Sequence, residues 1–317
     1  MRILVCEASV VERAGSELAT LEIASRLSAD GHDVAVFALA AGRLAEDFRR
    51  AGSITLFSLE DGHALRAFAP DLIHAHDWRS VVSLEILGVT APWVLGFLGT
   101  APPPEGPPAL IGNARVAWWT QSHRVAEQVQ RIPGWMNAPA VVAGNWFDDQ
   151  LIPRSQPTSI TRISNVLLAS NFLPGEVAAR LKSASGSLGI AVTQVGLPDN
   201  PVEINAEMLQ AFDGILTTGR TALESMALGR PVLLFGGFGS DGWVNSNDLD
   251  EMARHHFLGC RRGVNPSIKA LIHWLASPPG VEDRGRTQEW AFLHASLSVV
   301  LGRLQPLYAD ACQSPPL

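Results

Sequence analysis

The 317-residue chain predicts an α/β fold of two doubly wound domains facing a cleft, and three observations point there. Short apolar runs alternate with helical patterns along nearly the whole length, the rhythm of strand-helix-strand crossovers in a parallel sheet covered on both faces. A polar stretch without period, DDQLIPRSQPTSITRIS at 148 to 164, interrupts the alternation and reads as an interdomain linker. The length also exceeds one ordinary core, so two domains of roughly 150 residues each are expected.

The first strand is RILVCEAS. The helix SELATLEIASRLSADG follows, with Leu18, Leu21, Ile23, Ala24 and Leu27 on one face and Gly31 where a helix stops. The alternation continues with HDVAVFALA, GRLAEDFRRAG, SITLFSL, PDLIHAHD, a helix from about Arg79 to Leu87, APWVLGFLG, ARVAWWTQS, a helix to about Arg131, and PAVVAGNWF. These segments fill a first domain, 1–150. Beyond the linker come NVLLASNFL, a helix starting near Gly175, IAVTQVG, a helix near Ala206 to Ala211, DGILTT, the helix GRTALESMALG and the strand RPVLLFG, giving a second domain, 165–285. TQEWAFLHASLSVVLGRL carries Trp290, Leu293, Leu297, Val300 and Leu304 at helical spacing, and the segment 286–317 is expected to pack back toward the first domain.

Composition excludes several classes of function. With 47% apolar and 17% charged residues the chain is not disordered. The net charge is −7 and no basic stripe follows a phosphate backbone, so nucleic acid is not an expected partner. Cys6, Cys260 and Cys312 are far apart and lack metal-ligand spacing, which reads as three reduced structural thiols and no metal site. MRILVCEAS enters a strand without the apolar stretch of a signal peptide, and no run approaches the ~20 apolar residues of a membrane span. A cytoplasmic protein is expected, with peripheral membrane contact and homo-oligomer formation left open.

Four constellations can carry chemistry. Gly15 and Ser16 precede a helix whose first turn offers backbone N–H groups to a phosphate, although a turn with Ser16 as N-cap explains them as well. His74, His76, Asp77 and Trp78 lie at the end of a strand that leads to the cleft; a histidine there can bind a sugar hydroxyl or move a proton, or be a buried ring bonded to backbone. In TTGRTALES, the N–H groups of Gly219, Arg220 and Thr221 open a helix and suit an anion, Arg220 adds charge, and Glu224 can accept two vicinal hydroxyls. The alternative there is a helix cap with a solvent-facing glutamate. Finally, GGFGSDGWVNSND reads as a flexible loop at a strand's carboxyl end, with Asp241 beside Trp243, whose ring can stack on a base or sugar.

Taken together these residues resemble the GT-B glycosyltransferases, built of two Rossmann-like domains, and specifically the glycosyltransferase family 4 type. GSELATLEIASRLSADGHDVAV is similar to that family's opening loop and helix, DLIHAHDW to its strand-four end, VVAGNWFD to the segment closing its first domain, and TALESMALGRPVLL to its donor-binding helix and strand. The resemblance implies an acceptor-binding first domain and a second domain that binds a nucleotide diphosphate-sugar. It implies hexosyl transfer to an acceptor hydroxyl with retained configuration and without metal or cofactor. Residue by residue it implies that Glu224 holds the ribose, that Gly219, Arg220 and Thr221 face the diphosphate or sugar, that Gly15 and Ser16 approach the donor phosphates, and that His76 lies beside the reacting sugar. Ser170 and Asn171 then belong to the donor site, and His74, Asp77, Trp78 and Thr100 to the acceptor side.

The chain departs from the family at three places. Leu216 stands where the first glutamate of an E-x7-E pair contacts the donor sugar. Ser170, Asn171 and Glu176 occupy the region of the family's diphosphate-binding Arg and Lys. FLGTAPP lacks the histidine often found after strand five. Arg220 is therefore expected to supply the lost positive charge and to share catalysis with His76, and the Asp241 to Trp243 segment to take over sugar contacts. Two other functions remain compatible with these residues: a nucleotide-sugar epimerase or hydrolase, and a sugar-nucleotide binder without transfer chemistry.

Overall fold

A computed structural model describes residues 1–12, 15–51, 54–99, 117–132, 140–171, 173–196, 200, 202–261, 263 and 265–313. The chain forms two compact units, Met1–Ala143 with Leu301–Leu317, and Gly144–Val300.

In the first unit the elements are β1 (Arg2–Val10), α1 (Gly15–Ala29), β2 (Asp33–Ala41), α2 (Leu44–Arg50), β3 (Thr55–Phe57), α3 (Gly62–Phe68), β4 (Leu72–Ala75), α4 (Trp78–Ile86), β5 (Trp93–Phe97), β6 (Ala117–Thr120), α5 (His123–Gln130) and β7 (Ala140–Val142). The strands make one parallel sheet ordered β3-β2-β1-β4-β5-β6-β7. The central strands are largely apolar because both faces are covered, with Glu7 of β1 and His74 of β4 as buried polar exceptions; Leu4, Cys6, Phe37, Ile73 and Leu95 share one core with Val81 and Leu84 of α4. Gly96 is required where it stands, since a Cβ there would meet the Trp119 ring at 2.5 Å.

The second unit contains β8 (Asn165–Ala169), α6 (Gly175–Leu188), β9 (Ala191–Val195), α7 (Ala206–Gln210), β10 (Gly214–Thr217), α8 (Gly219–Ala227), β11 (Val232–Gly236), β12 (Gly239–Trp243), α9 (Leu249–Arg254), α10 (Ile268–Ala276) and α11 (Val281–His294). Its sheet is ordered β12-β11-β10-β8-β9, parallel except for β12. The two-residue period sorts β8 between two cores: Val166 and Leu168 join Leu181 of α6 and Leu271 of α10, whereas Leu167 and Ala169 join Leu223 and Met226 of α8. This is the α/β architecture of two doubly wound sheets expected from the alternation.

Two local expectations change. The C-terminal periodicity does not make one helix: it breaks at Ala295 and Ser296, between α11 and α12 (Leu297–Gln313). The backbone of Phe147 fills the break, its N–H donating to Ala295 O at 3.0 Å and its carbonyl accepting from Leu297 N–H at 2.9 Å. Leu293, one of the apolar positions at helical spacing, is 60% exposed. The polar stretch 148–164 is not slack chain, because buried Arg284 of α11 donates to the carbonyls of Thr158 (2.6 Å) and Gly229 (2.8 Å), and Gln288 to those of Ser155 (2.6 Å) and Ala227 (2.7 Å).

Candidate active site

Ligands of doubly wound sheets bind beyond the carboxyl ends of the strands, where the strand order reverses. In the first unit that point lies between β1 and β4, in the second between β8 and β10. The predicted residues gather at both.

At the first, β1 carries Glu7, α1 carries Thr20, and β4 delivers His74 and then His76, whose N–H donates to Cys6 O at 3.0 Å. All four side chains are buried. His74 Nε2 accepts from the Trp119 indole N–H at 3.0 Å. That donor-only partner leaves the proton of a neutral imidazole on Nδ1, which lies 2.8 Å from the Tyr308 hydroxyl of α12. Burial, with His76 alongside, holds His74 well below the usual histidine range, so the ring stays neutral. His74 is thus the core of a buried network, its ring held by two side chains and not by backbone.

His76 stacks edge-on against His74, ring centroids 4.8 Å apart. Its Nδ1 lies 2.9 Å from Thr20 Oγ1 and 3.8 Å from Glu7 Oε2, while its Nε2 is buried with no hydrogen-bond partner among the described residues. Burial lowers its pKa to about 3. Burial also raises Glu7, to about 8, helped by the negative charges of Asp77 and Glu17. Glu17 itself accepts from Ser9 Oγ at 3.1 Å.

The other first-unit residues separate. Asp77 is the N-cap of α4, Oδ1 accepting from Arg79 N–H (2.9 Å) and Ser80 N–H (3.1 Å) and Oδ2 from Ser80 Oγ (2.6 Å), so its carboxylate closes a helix. Trp78 begins that helix, partly buried. Gly15 is exposed at the start of α1, and Ser16 uses its carbonyl to accept from Thr20 Oγ1 at 3.1 Å. Thr100 lies outside the described residues.

At the second switch point Thr217 Oγ1 donates to Ala169 O at 2.8 Å, tying the ends of β10 and β8 together. A Cβ on Gly236 would sit 3.0 Å from Thr218 Cγ2 and 3.8 Å from Ser170 Oγ, so the three strand ends converge there. Ser170 N–H donates to Val195 O at 3.1 Å, and Asn171 follows it. Gly219 opens α8 at φ +62°, a left-handed conformation that glycine adopts without strain. Its N–H is not open to an anion as the sequence suggested: it donates to Phe257 O at 2.9 Å. Two non-glycine residues, His256 (φ +59°) and Phe257 (φ +52°), carry the chain into that contact. Thr221, partly buried, accepts Ser225 Oγ on its carbonyl at 2.7 Å. Arg220 Nε donates to Glu224 Oε1 at 2.8 Å. Glu224 is buried rather than solvent-facing, so the two residues form one unit, cation and carboxylate, on the first turns of α8.

The expected loop after β11 is instead a hairpin. β12 returns antiparallel to β11, Gly236 opposite Gly239 and Leu233 opposite Trp243, with a bulge between Leu234 and Phe235. Trp243 is carried away from the strand ends; its indole N–H donates to Trp274 O at 2.6 Å and its ring packs on Gly214, the first residue of β10. Asp241 is buried and accepts the Arg261 N–H at 3.3 Å. Trp243 lies toward the opposite end of the sheet from Ser170 and Gly219.

Glu7, Thr20, Trp119 and Tyr308 were not singled out from the sequence. Glu7 had a signal, an acid within an apolar first strand, and Tyr308 is the only tyrosine of the chain. Thr20 and Trp119 had none, because their importance comes from pairing across 56 and 45 residues with His76 and His74.

No protein-family model and no curated protein sequence matches the chain. Solved structures do match by fold. HepE of Anabaena, determined with UDP and glucose, superposes at a TM-score of 0.61 with 16% identity, over 98% of this chain and 100% of that one. LpCGTa, determined with UDP, gives 0.57 and 13% over 99% of each. WaaG, a glycosyltransferase involved in lipopolysaccharide biosynthesis, gives 0.55 and 12% over 96% and 99%. The fold is that of the GT-B glycosyltransferases.

Proposed function

We propose that the protein is a glycosyltransferase that moves a hexosyl group from a nucleotide diphosphate-sugar, held by the second unit, to an acceptor hydroxyl bound by the first. The observation that carries this reading is the Arg220–Glu224 pair on α8, at the carboxyl ends of β8 and β10. A buried carboxylate with one oxygen held by a guanidinium presents its other oxygen in a fixed direction, as recognition of a ribose hydroxyl requires. The UDP in HepE and LpCGTa supports a uridine donor. In this reading Ser170, Asn171 and Thr221 line the donor side with Arg220, and His76 is the residue of the first unit that acts on the reacting groups. On the same reading the reaction is retaining and uses neither metal nor cofactor. Among the described residues no helix is long and apolar enough to cross a membrane.

Isothermal titration with UDP and GDP, alongside a donor-hydrolysis assay with a panel of nucleotide sugars, tests the proposal. Nucleotide binding that is lost in Glu224→Ala, together with slow release of free sugar, is expected. Failure of both nucleotides to bind overturns the reading. Binding without any turnover selects instead a sugar-nucleotide binder, which Leu216 in place of the family's glutamate favours.

A further inference from the structure

We propose that Thr20 is the positioning residue that fixes His76 as its Nδ1–H tautomer and so presents Nε2 as a bare proton acceptor to a ligand hydroxyl. The inference rests on the transferase reading for its chemistry but on three contacts for its geometry. Thr20 Oγ1 lies 2.9 Å from His76 Nδ1, 3.1 Å from Ser16 O and 3.5 Å from Glu7 Oε2. A threonine hydroxyl has one proton and two lone pairs, and a backbone carbonyl only accepts. The Ser16 contact is the i to i−4 bond that a helical threonine makes to its own turn, and it uses that single proton. Toward His76 the hydroxyl can then only accept, so Nδ1 must carry the ring hydrogen. The opposite tautomer would turn the proton to Nδ1 and set the lone pairs of Thr20 and Ser16 against each other at 3.1 Å.

The remaining nitrogen is the one left without a partner. Nε2 of His76 is buried and unbonded among the described residues, an arrangement that is unfavourable unless a ligand completes it. The other polar groups around the ring are engaged elsewhere. Trp119 gives its indole N–H to His74, His74 in turn faces Tyr308, and Glu7 reaches the Nδ1 side of His76 rather than Nε2. Burial keeps the imidazole neutral near pH 7, so a single ring proton is being assigned.

In the transfer step the bond from the sugar carbon to the diphosphate oxygen breaks and the nucleotide leaves with the electron pair. The acceptor oxygen bonds to that carbon on the face the diphosphate leaves, which keeps the configuration, and Nε2 takes its hydroxyl proton. His76 becomes an imidazolium whose Nδ1–H stays on Thr20 with Glu7 3.8 Å away, and it returns its proton to solvent after release.

The test is a long-range proton–nitrogen correlation spectrum of protein labelled with nitrogen-15 histidine at pH 7, on the full chain, with Thr20→Val and Thr20→Ser. His76 in the native protein should show a protonated Nδ1 and an unprotonated Nε2. Thr20→Val should shift the ring toward Nε2–H, and Thr20→Ser, which keeps the hydroxyl, should restore the native pattern. If a turnover assay exists, Thr20→Val should lower kcat roughly 10- to 100-fold with KM little changed. A protonated Nε2 in the native protein overturns the proposal, as does a Thr20→Val spectrum identical to the native one. The native spectrum decides the tautomer even if the valine variant does not fold. The expected spectra without any turnover would sink the transferase reading alone.

Discussion

Glu7 should make the protein less stable as pH rises from about 6.5 to 8, and Glu7→Gln should abolish that trend. The folded carboxyl keeps its proton up to about 8 because it is buried in β1 beside the negative charges of Asp77 and Glu17, whereas the unfolded one loses it near the usual 4.5. Between those values the native state binds more protons than the unfolded state, so stability falls with pH by about 1.4 kcal/mol per unit. His74 and His76 act in the opposite sense. Both are neutral when folded and protonate when unfolded, so their contribution rises with pH and levels off above the ordinary 6.5. Between pH 6.5 and 8 the unfolded histidines finish losing their protons and together add a little under ~1 kcal/mol, while burial moves Cys6 upward from 9.0 and out of the interval. Glu7 loses somewhat under ~2 kcal/mol over the same interval, so the native protein should lose about 1 kcal/mol net. Urea unfolding at pH 6.5, 7.25 and 8.0, followed by tryptophan fluorescence, measures it from the midpoint and slope. Glutamine has nearly the same shape and no charge, so the variant should keep only the slight rise that the histidines supply and exceed the native protein at pH 8. A native protein whose stability does not change between pH 6.5 and 8, or a variant with the same slope, would refute the assignment of a buried protonated Glu7.

Gly96→Ala should lower thermal stability by an amount typical of overpacking, ~1–3 kcal/mol, and disturb the Trp119 to His74 hydrogen bond, because the added Cβ meets the Trp119 ring at 2.5 Å; an unchanged melting temperature would argue against that contact. Gly219→Ala meets no atom within 4 Å, so only backbone strain at φ +62° should appear, about 1–2 kcal/mol in urea unfolding. Arg220→Met should weaken UDP binding roughly 10- to 100-fold in titration calorimetry by removing the charged hydrogen bond that orients Glu224, and a native dissociation constant would take Arg220 out of the donor site. Arg284→Leu should cost several kcal/mol, on the order of two or three lost buried hydrogen bonds, because the carbonyls of Thr158 and Gly229 lose their donors; denaturant unfolding measures it.

The alternation of apolar runs was enough to place the parallel strands and most of their crossover helices, because a strand covered on both faces is largely apolar and its crossovers are amphipathic; α3, α9, α10 and β12 were not placed by it. It could not place the end of α11. Apolar spacing runs through Ala295 without interruption, and what stops the helix is the backbone of Phe147, some 150 residues earlier in the chain. The hairpin after β11 was illegible for a related reason. Glycines and polar residues at 236 to 242 read as a loop, yet the pairing of β12 is made by backbone groups with little regard for side chains. At the sites, residues next to a strand end were found and residues that complete a pair were not. His76 and Glu224 follow from local pattern; Thr20 and Glu7 follow only from the parallel packing of β1 and β4 with α1 above them.

That distinction explains what Leu216 means for the second unit. By spacing it replaces a glutamate that in the resembling family reaches the donor sugar, and a simple substitution in an otherwise unchanged loop would leave a gap to be filled from nearby. Leu216 is not in a loop. It lies inside β10, fully buried with Leu168 and Leu233 in the core under α6 and α10, and the next residue, Thr217, is bonded to the end of β8. The strand therefore runs right up to the helix, and the turn between them is reduced to Thr218 and a left-handed Gly219 anchored on Phe257. A carboxylate at 216 would be buried among aliphatic side chains, so the position is unable to host one without rebuilding the turn. Among the described residues at this switch point, Ser170, Asn171 and the side chains of α8 offer polar groups, and the Arg220–Glu224 pair joins a guanidinium to a buried carboxylate by a hydrogen bond. In the proposed function that pair, and not a residue of β10, carries nucleotide recognition.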